Sequence, residues 1–278
     1  MNIRQALQQA RKQLADSSPS AMLDSQVLLT YVLQCNTAHL AAWPEKTLGD
    51  AQLADFLQLL KQRQQGVPVA HLTGSREFWS LDFSVDDSTL IPRPETETLV
   101  EFILEQFDDV DRLKLLDMGT GTGAIAISIA KQKPDWEIIA SDVSEQALAL
   151  AAKNSSENLT ANVTFVHSNW FDAIAQDDFN IIVSNPPYIA CGDPHLSQGD
   201  VRFEPQSALS SGETGMDDIE HICSQAKDHL LKNGCLVVEH GYNQKQQVSD
   251  CFNSNGFKEI EQRQDLSGHT RMTAGKNP

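Results

Sequence analysis

The sequence predicts an α/β protein in which helices cover both faces of a mostly parallel sheet. Three observations predict this fold. Beyond about residue 97, helical segments alternate with short apolar strand candidates; a glycine-rich turn follows one of these strands; and an acidic residue ends the next. Such an order is typical of a doubly wound sheet, which binds its ligands at the carboxyl ends of its strands.

Length and charge limit the class of protein. The chain has 278 residues and a formal net charge of -17, from 38 acidic and 21 basic side chains. Residues 1–65 hold six basic and five acidic side chains, a balance of +1, which leaves -18 on the remainder. Because phosphate binding relies on Lys and Arg, this charge argues against a sequence-independent grip on nucleic acid. We expect no direct nucleic-acid binding.

The cysteines and the apolar runs indicate the compartment. Five cysteines lie far apart without a C-x-x-C pair, which is typical of a protein from a reducing compartment. The first residues lack the apolar core of a secretory signal, and no apolar run approaches the roughly 18 residues of a membrane span. We therefore expect a cytoplasmic protein without a membrane partner, acting as a monomer.

The first part of the chain predicts a small helical bundle, assigned to residues 1–72. Apolar residues recur there at intervals of three and four. They are Ile3, Leu7, Ala10 and Leu14 in one helix, Leu23, Val27, Tyr31 and Cys35, flanked by Leu28 and Val32, in the next, and Leu53, Phe56, Leu57 and Leu60 in a later one. Residues 73–95 change to short apolar segments broken by glycine, aspartate and proline, which predicts a β-hairpin linker.

Residues 96–278 carry the alternation that predicts the sheet. The predicted helices are 97–107, 123–132, 144–158, 215–232 and 243–254. The predicted strands are 113–118, 137–141, 163–167, 179–184 and 235–240. Helices that separate strands in this way place the strands parallel and cover them on both sides.

A glycine-rich turn follows the first of these strands. Its residues are Gly119, Thr120, Gly121, Thr122 and Gly123. This G-x-G-x-G spacing departs from the G-x-G-x-x-G of pyrophosphate-binding dehydrogenases. Asp142 ends the next strand, where a carboxylate can accept hydrogen bonds from both ribose hydroxyls. The pair indicates an adenosine-bearing cofactor without a pyrophosphate; the alternative is a plain tight turn, with Asp142 capping the helix at Ser144.

Two further features fall at the same predicted edge. Trp170 follows the strand 163–167, where its indole can stack on adenine or serve as an ordinary core aromatic. The apolar strand 179–184 runs into Asn185, Pro186, Pro187 and Tyr188. The Asn185 side-chain oxygen and the Pro186 carbonyl can accept both N–H groups of a planar amide or exocyclic amine, while Tyr188 packs on its flat face. Two prolines also simply terminate a strand.

In combination, these features favour methylation of an amino nitrogen from S-adenosylmethionine, and further segments narrow the family. They are Gly74–Trp79, Leu90–Glu97, Arg202–Pro205 and Glu239–Tyr242. With the glycine turn, Asp142 and the N-P-P-Y run, the chain resembles class I S-adenosylmethionine-dependent methyltransferases. It is most similar to the HemK/PrmC family, the peptide chain release factor glutamine N5-methyltransferases.

The resemblance implies a Rossmann-like fold and methylation of the glutamine side chain in the Gly-Gly-Gln motif of class I release factors. Residues 119–123 would line the methionine part of the cofactor, Asp142 its ribose and Trp170 its adenine. Asn185, Pro186 and Tyr188 would be catalytic, and with Pro187 would grip the substrate glutamine, Asn185 also lying near the cofactor. Residues 1–72 would dock the substrate. Asn169 and Glu95 stand where the family commonly has Asp.

Two other functions share some of these features. A nucleic-acid methyltransferase acting on adenine N6 or guanine N2 faces the same geometric problem, but the acidic charge disfavours it. A non-catalytic translation adapter would not need the N-P-P-Y run. Five glutamates could form a metal or acid/base cluster, but their spacing matches no ligand pattern: Glu77, Glu95, Glu97, Glu204 and Glu239. We expect no metal.

Overall fold

The computed structural model describes all 278 residues and divides them into two compact units. One unit comprises Met1–Ser75 together with Gln198–Phe203, and the other comprises Arg76–Ser197 together with Glu204–Pro278. We call them the helical unit and the sheet unit. The predicted boundaries at residues 72 and 95 remain predictions. None of the helices in either unit has the length and apolar character needed to cross a membrane.

The helical unit contains five helices. They are α1 (Ile3–Leu14), α2 (Ala21–Leu33), α3 (Thr37–Ala42), α4 (Asp50–Gln64) and α5 (Val69–Thr73). The predicted stripe of α1 is correct, since Ile3, Ala10 and Leu14 are buried. The stripe predicted for α2 is correct only in part: the flanking Leu28 is buried, with Leu29 beside it, whereas Leu23 and Tyr31 are exposed.

A buried ion pair explains why α2 is rotated. Arg63 Nε donates to Asp24 Oδ2 at 2.7 Å, and the two side chains are only 5% and 8% exposed. The hydroxyls of Ser18 and Ser20 each donate to Asp24 at 2.7 Å. Arg63 Nη1 also donates to Asp200 at 2.6 Å, which ties the distant segment 198–203 to α4. Because its charge is matched inside the unit, the Asp24 face of α2 is the one that is buried.

The sheet unit begins with the predicted hairpin, formed by β1 (Ser75–Phe78) and β2 (Leu81–Ser84). Its two turn residues, Trp79 and Ser80, both have positive φ, of 52° and 60°, as a tight two-residue hairpin requires. The backbone N–H of Trp79 donates to Glu97 Oε1 at 2.8 Å, and that of Ser80 to Glu77 Oε1 at 2.7 Å. Two of the five glutamates therefore hold this turn.

The remaining elements form a seven-stranded sheet with helices. The strands are β3 (Lys114–Met118), β4 (Glu137–Asp142), β5 (Val163–His167), β6 (Phe179–Ser184), β7 (Leu230–Glu239), β8 (Lys258–Gln264) and β9 (Thr270–Lys276). The helices are α6 (Glu97–Gln106), α7 (Ala124–Gln132), α8 (Glu145–Glu157), α9 (Asp217–His229) and α10 (Lys245–Ser254). The spatial order is β5-β4-β3-β6-β7-β9-β8, parallel from β5 to β7. The doubly wound prediction is confirmed.

The core lies on both faces of this sheet, because successive residues of a strand point to opposite sides. Leu115 and Ile181 belong to the cluster that includes α6 and α7, whereas Leu116 and Ile182 belong to the cluster that includes α9 and α10. From β3 the chain adds β4 and then β5 on one side, and it then returns to place β6 on the other side of β3. The order of the strands therefore reverses between β3 and β6. In doubly wound sheets, such a switch point opens a crevice for ligands.

Sequence analysis missed the antiparallel edge of the sheet. β9 pairs antiparallel with β7 and β8, and neither β8 nor β9 was predicted. Strand β8 is mostly exposed, so no apolar alternation marks it. The predicted helix 215–232 was too long, and the strand predicted from Cys235 begins at Leu230, because the exposed residues 231–233 extend the strand ahead of its buried part.

The ion pair of the helical unit makes a stability prediction. Replacing Arg63 with Ala leaves the Asp24 carboxylate buried without its cation, which should lower the free energy of unfolding by about 3 kcal/mol. Replacing Arg4 with Ala is the matched control, because its pair with Glu45 is more than half exposed and should contribute at most about 1 kcal/mol. Chemical denaturation followed by circular dichroism measures both; equal effects would contradict the buried-pair account.

Candidate functional site

The sheet unit contains a cavity of about 410 Å³ at the carboxyl ends of the strands. It lies at the switch point, since residues that follow β3 and residues that follow β6 both line it. The predicted site residues in its wall are Gly119, Thr120, Gly121, Thr122, Asp142, Trp170, Asn185 and Pro187. Gly123, Pro186 and Tyr188 do not line it. The structure thus brings together eight of the eleven.

The backbone of the glycine turn requires glycine at its alternate positions. Gly119, Gly121 and Gly123 have φ of 67°, 54° and 83°, in the left-handed region that other residues rarely adopt. A Cβ on Gly123 would lie 2.6 Å from Ile127 Cδ1 and 3.3 Å from Ala151 Cβ. Gly123 therefore permits close packing of α7 and α8, while the first two glycines face the cavity.

Asp117 supports this turn from below, a role that sequence analysis did not identify. Its side chain is fully buried, and Oδ2 accepts from Thr120 Oγ1 at 2.7 Å and from the Ala126 backbone N–H at 3.2 Å. Burial raises the pKa of Asp117 to about 7, although the hydrogen bonds from Thr120 and Ala126 oppose that rise. Oδ1 has no partner in the protein. The sequence signal that could have found it is an acidic residue two positions before Gly119.

Asp142 ends β4 with both carboxylate oxygens hydrogen-bonded. Oδ2 accepts from the Gly121 backbone N–H at 2.9 Å, and Oδ1 accepts from the Ser144 backbone N–H at 2.9 Å. The N-cap of α8 is Ser144 itself, whose hydroxyl accepts from the Ala147 N–H. Each carboxylate oxygen can accept more than one hydrogen bond, so Asp142 links the glycine turn to α8 and keeps acceptor capacity at the cavity.

Trp170 closes the cavity on the side of β5. A Cβ on Gly119 would lie 3.8 Å from the indole, so the bare glycine leaves the space against the ring open. Trp170 itself has a positive φ of 49°, and its carbonyl accepts from the Ser168 hydroxyl at 2.8 Å. Asn169 lies beside it in the cavity wall and donates to Asp172 at 3.1 Å. The tryptophan is fixed by its backbone rather than by deep burial of its ring.

The N-P-P-Y run leaves β6 at the same level as the glycine turn leaves β3. Met118 pairs with Ser184, whose hydroxyl donates to the Met118 carbonyl at 2.8 Å. Asn185 follows at the cavity wall, and its Nδ2 donates to Thr96 Oγ1 at 3.0 Å. Its Oδ1 accepts no hydrogen bond from the protein, which leaves one amide acceptor beside the cavity.

Tyr188 is held away from the cavity. Its hydroxyl donates to Glu239 Oε1 at 3.2 Å, and its carbonyl accepts from Gln244 Nε2 at 3.0 Å. Burial, and then the negative charge of Glu239, raise the pKa of Tyr188. Its ring packs on the α9 and α10 side of the core. Its predicted packing against a substrate remains a prediction.

Two of the quoted sequence segments meet at one ion pair. Arg93, from Leu90–Glu97, donates through Nη2 to both carboxylate oxygens of Glu204, from Arg202–Pro205, at 2.7 Å each. The Glu204 side chain is fully buried, whereas Arg93 is 30% exposed and lines the cavity. The sequence alone did not predict the ion pair between Arg93 and Glu204, although both segments belong to the family resemblance.

Comparisons with known proteins agree with this geometry. Residues 5–74 match the family described as PrmC N-terminal domain, and residues 95–198 match the methyltransferase small domain. A release factor glutamine methyltransferase from Shewanella oneidensis is 48% identical over 99% of this chain and 96% of its own length. The chain belongs to the release factor glutamine methyltransferase family. A family member from Escherichia coli is 43% identical over 97% of both chains.

Solved structures support the family fold at lower identity. The hMettl16 catalytic domain, solved in complex with the MAT2A 3'UTR hairpin 6, has a TM-score of 0.55 at 14% identity and covers 82% of both chains. A methyltransferase from Pyrococcus furiosus has a TM-score of 0.51 at 16% identity, covering 71% of this chain and 89% of its own. These likenesses show the Rossmann-like methyltransferase fold.

As a member of this family, the chain is an S-adenosylmethionine-dependent methyltransferase. The residues present fit the cofactor. The open space at Gly119 suits a ligand that approaches the backbone closely. The spare acceptor capacity of Asp142 suits a pair of ribose hydroxyls, and the indole of Trp170 suits a flat base. The buried carboxyl of Asp117 lies beneath the same turn. Which group contacts which part of the cofactor remains a prediction.

Replacing Asp142 with Ala should weaken cofactor binding. The change removes the acceptor for the ribose hydroxyls and the bond that holds Gly121, so we expect a loss of about 1.5 to 3 kcal/mol in binding free energy. Replacing the exposed Asp135 with Ala removes the same charge far from the cavity and is the control. Calorimetry with S-adenosylmethionine measures both, and an unchanged affinity in the Asp142 variant would refute the assignment.

Proposed function

We propose that this enzyme transfers a methyl group from S-adenosylmethionine to the side-chain amide nitrogen of the glutamine in the Gly-Gly-Gln motif of class I release factors. The observation that carries this proposal is Asn185, whose free amide oxygen lies in the wall of the cavity that the glycine turn also lines. The family relationship supports the choice of a release factor glutamine as substrate.

The chemical difficulty is that an amide nitrogen is a poor nucleophile, because its lone pair is delocalised into the carbonyl. Asn185 Oδ1 would supply one acceptor from the cavity wall, and the carbonyl of Pro186, a residue that does not itself line the cavity, would supply the second for the two N–H groups of the glutamine. Holding both N–H groups fixes the plane of the amide and directs the nitrogen toward the methyl donor. Proline supports this role because it has no N–H of its own to occupy a neighbouring acceptor.

When bound, S-adenosylmethionine supplies an electrophilic methyl group on a sulfonium. The methyl would pass to the glutamine nitrogen with release of S-adenosylhomocysteine, and the nitrogen would lose one N–H proton to solvent. No strong base is needed, because the methylated amide, before it loses that proton, is far more acidic than the neutral amide. Orientation by the Asn185 and Pro186 acceptors accounts for most of the acceleration.

The helical unit is proposed to dock the release factor. It leaves several large apolar side chains exposed, among them Leu23 at 58%, Tyr31 at 43% and Trp43 at 61%. Its charge is close to neutral, so an acidic or basic protein surface is not repelled. We retain the division into residues 1–72 for docking, 73–95 as a hairpin linker and 96–278 for catalysis, with the reaction in the cytoplasm and the enzyme acting as a monomer.

A methyl-transfer assay against several substrates tests the proposal. With labelled S-adenosylmethionine, we expect transfer to a class I release factor and none to tRNA, rRNA or DNA, because the -18 of residues 66–278 repels phosphates. Mass spectrometry should place the methyl on the Gly-Gly-Gln glutamine. Transfer to an exocyclic base amine would instead support the nucleic-acid alternative, and absence of any turnover the non-catalytic adapter.

Replacing Asn185 with Ala removes one of the two proposed acceptors while leaving the glycine turn and Asp142 in place. We expect kcat to fall by about 10² to 10³, the cost of deleting a preorganised polar group at a reacting centre. Because the lost contact aligns the nucleophile, the effect should appear in kcat rather than only in KM. Asn185→Asp keeps an acceptor oxygen but loses the N–H bonded to Thr96, so its activity should lie between wild type and Ala.

Single-turnover methyl transfer at saturating cofactor measures this effect directly. Asn253→Ala, an exposed change on α10, is the matched control and should react at the wild-type rate. Chemistry near the wild-type rate in Asn185→Ala would remove Asn185 from the reaction centre.

A further inference from the structure

Glu239 lies at the end of β7, directly behind the N-P-P-Y run, and the proposed chemistry gives it no task. Its side chain is buried, with 1% exposure. A carboxylate in such a place is costly unless donors surround it. Oε1 accepts from the Tyr188 hydroxyl at 3.2 Å, whereas Oε2 is buried without a hydrogen-bond partner. Glu239 is therefore an acceptor that needs another donor.

The hydroxyl of Thr96 is the donor that we assign to it. Burial raises the pKa of Glu239 to about 7, and hydrogen bonding from Thr96, followed by that from Tyr188, opposes the rise. Thr96 is itself buried, at 5% exposure, and its oxygen already accepts from Asn185 Nδ2 at 3.0 Å. Thr96 thus lies beside Asn185 in the cavity wall and next to the buried Glu239.

The direction of the hydrogen bonds among these three side chains follows from proton counting. An ionised carboxylate can only accept, so the single hydroxyl proton of Thr96 is directed to Glu239. Thr96 can then offer Asn185 only an acceptor. Asn185 must meet it with its NH₂ group, which leaves its carbonyl oxygen for the cavity. The two ends of an asparagine amide are nearly identical in shape, so only such a network selects one of the two orientations.

We propose that Glu239, acting through the hydroxyl of Thr96, is a positioning residue that holds the Asn185 amide with its oxygen toward the substrate. This inference rests on the proposed function, because it concerns how the same site orients the glutamine. Without the network, the amide can flip by half a turn and present NH₂ to the N–H groups of the substrate. The NH₂ group of a flipped Asn185 would face the substrate N–H groups, donor against donor, and would repel them.

Other charged groups around Glu239 set its ionisation. Arg271, on the neighbouring β9, favours the charged form, whereas Glu95, just before α6, disfavours it. The next residue, His240, is not a donor to Glu239: its ring nitrogens lie against the Gly241 carbonyl at 3.0 Å and the Thr273 hydroxyl at 2.9 Å. The Tyr188 hydroxyl is thus the donor at Oε1, and the Thr96 hydroxyl is the one that we assign to Oε2.

Paired substitutions at Thr96 test the proposal in the full-length enzyme. Thr96→Val keeps the shape of the side chain and removes the hydroxyl, and it should lower the single-turnover rate by about 10- to 100-fold, as expected for a misaligned reactive group. Thr96→Ser restores the hydroxyl and should restore the rate to near wild type. The affinity for S-adenosylmethionine should be the same in both, which separates misorientation from a damaged cofactor site.

A double substitution separates positioning from a general structural role. If Thr96 acts only through Asn185, adding Thr96→Val to Asn185→Ala should cost nothing further, because the amide it orients is already gone. A structural role predicts that the two losses multiply. Glu239→Gln can be used in the same cycle, because its amide can donate to Thr96 and so release the hydroxyl proton toward Asn185. Adding Glu239→Gln to Asn185→Ala should likewise cost nothing further.

The pH profile is an independent readout. Protonation of Glu239 lets its carboxyl donate to Thr96, so the wild-type single-turnover rate should fall as the pH drops through about 7. Glu239→Gln should be slow and lack this fall. Asp117 titrates in the same range but is present in both proteins, so the difference between the profiles reports Glu239.

The outcomes distinguish two failures. If the wild-type enzyme does not methylate the release factor glutamine, the proposed function is wrong. If it does, but Thr96→Val reacts like Thr96→Ser, or its loss multiplies with that of Asn185→Ala, the positioning role is wrong while the function stands. Should Glu239→Gln fail to fold, the Thr96 pair and its double variant decide the question alone.

Discussion

The parallel pairing of β3 with β6 is the constraint on which the site depends. The strands pair residue for residue up to Met118 and Ser184, and the Ser184 hydroxyl bonds to the Met118 carbonyl. The next residues are Gly119 and Asn185. A shift of one residue would turn every side chain of β6 to the opposite face of the sheet and move Asn185 away from the glycine turn. Two short motifs 66 residues apart therefore act together because of one register.

Buried carboxyl groups give the cavity its electrostatic character. Asp117 beneath the glycine turn and Glu239 behind the N-P-P-Y run are both removed from water, and burial raises the pKa of each to about 7. Asp142 adds a third carboxylate at the cavity wall. A sulfonium carries a positive charge, so the ionised forms of these acids are opposite in sign to the methyl donor and attract it. The acidity of the chain, which argues against phosphate binding, suits this cofactor.

Sequence analysis succeeded where a local pattern determines the structure. Apolar strands, the glycine turn and the N-P-P-Y run each depend on neighbours in the chain, so the doubly wound sheet, the hairpin and most of the cavity wall were predictable. The sequence did not predict a structure where a residue's burial or a strand's formation depends on a partner distant in the chain. Asp24 is buried because Arg63 matches its charge 39 residues away. Strand β8 has no apolar face of its own, and its partner β9 had to be known first.

The position of segment 198–203 has a consequence for the architecture. These six residues belong to the helical unit, although the chain on either side of them belongs to the sheet unit. The polypeptide therefore passes between the units three times, after residues 75, 197 and 203. A shortened protein beginning at Arg76 would leave Asp200 without Arg63 and Arg202 without the Gln65 carbonyl that it contacts at 2.6 Å. The helical unit is therefore built from two stretches of the chain, and a fragment of the first 75 residues alone would lack the six that the loop after the N-P-P-Y run supplies.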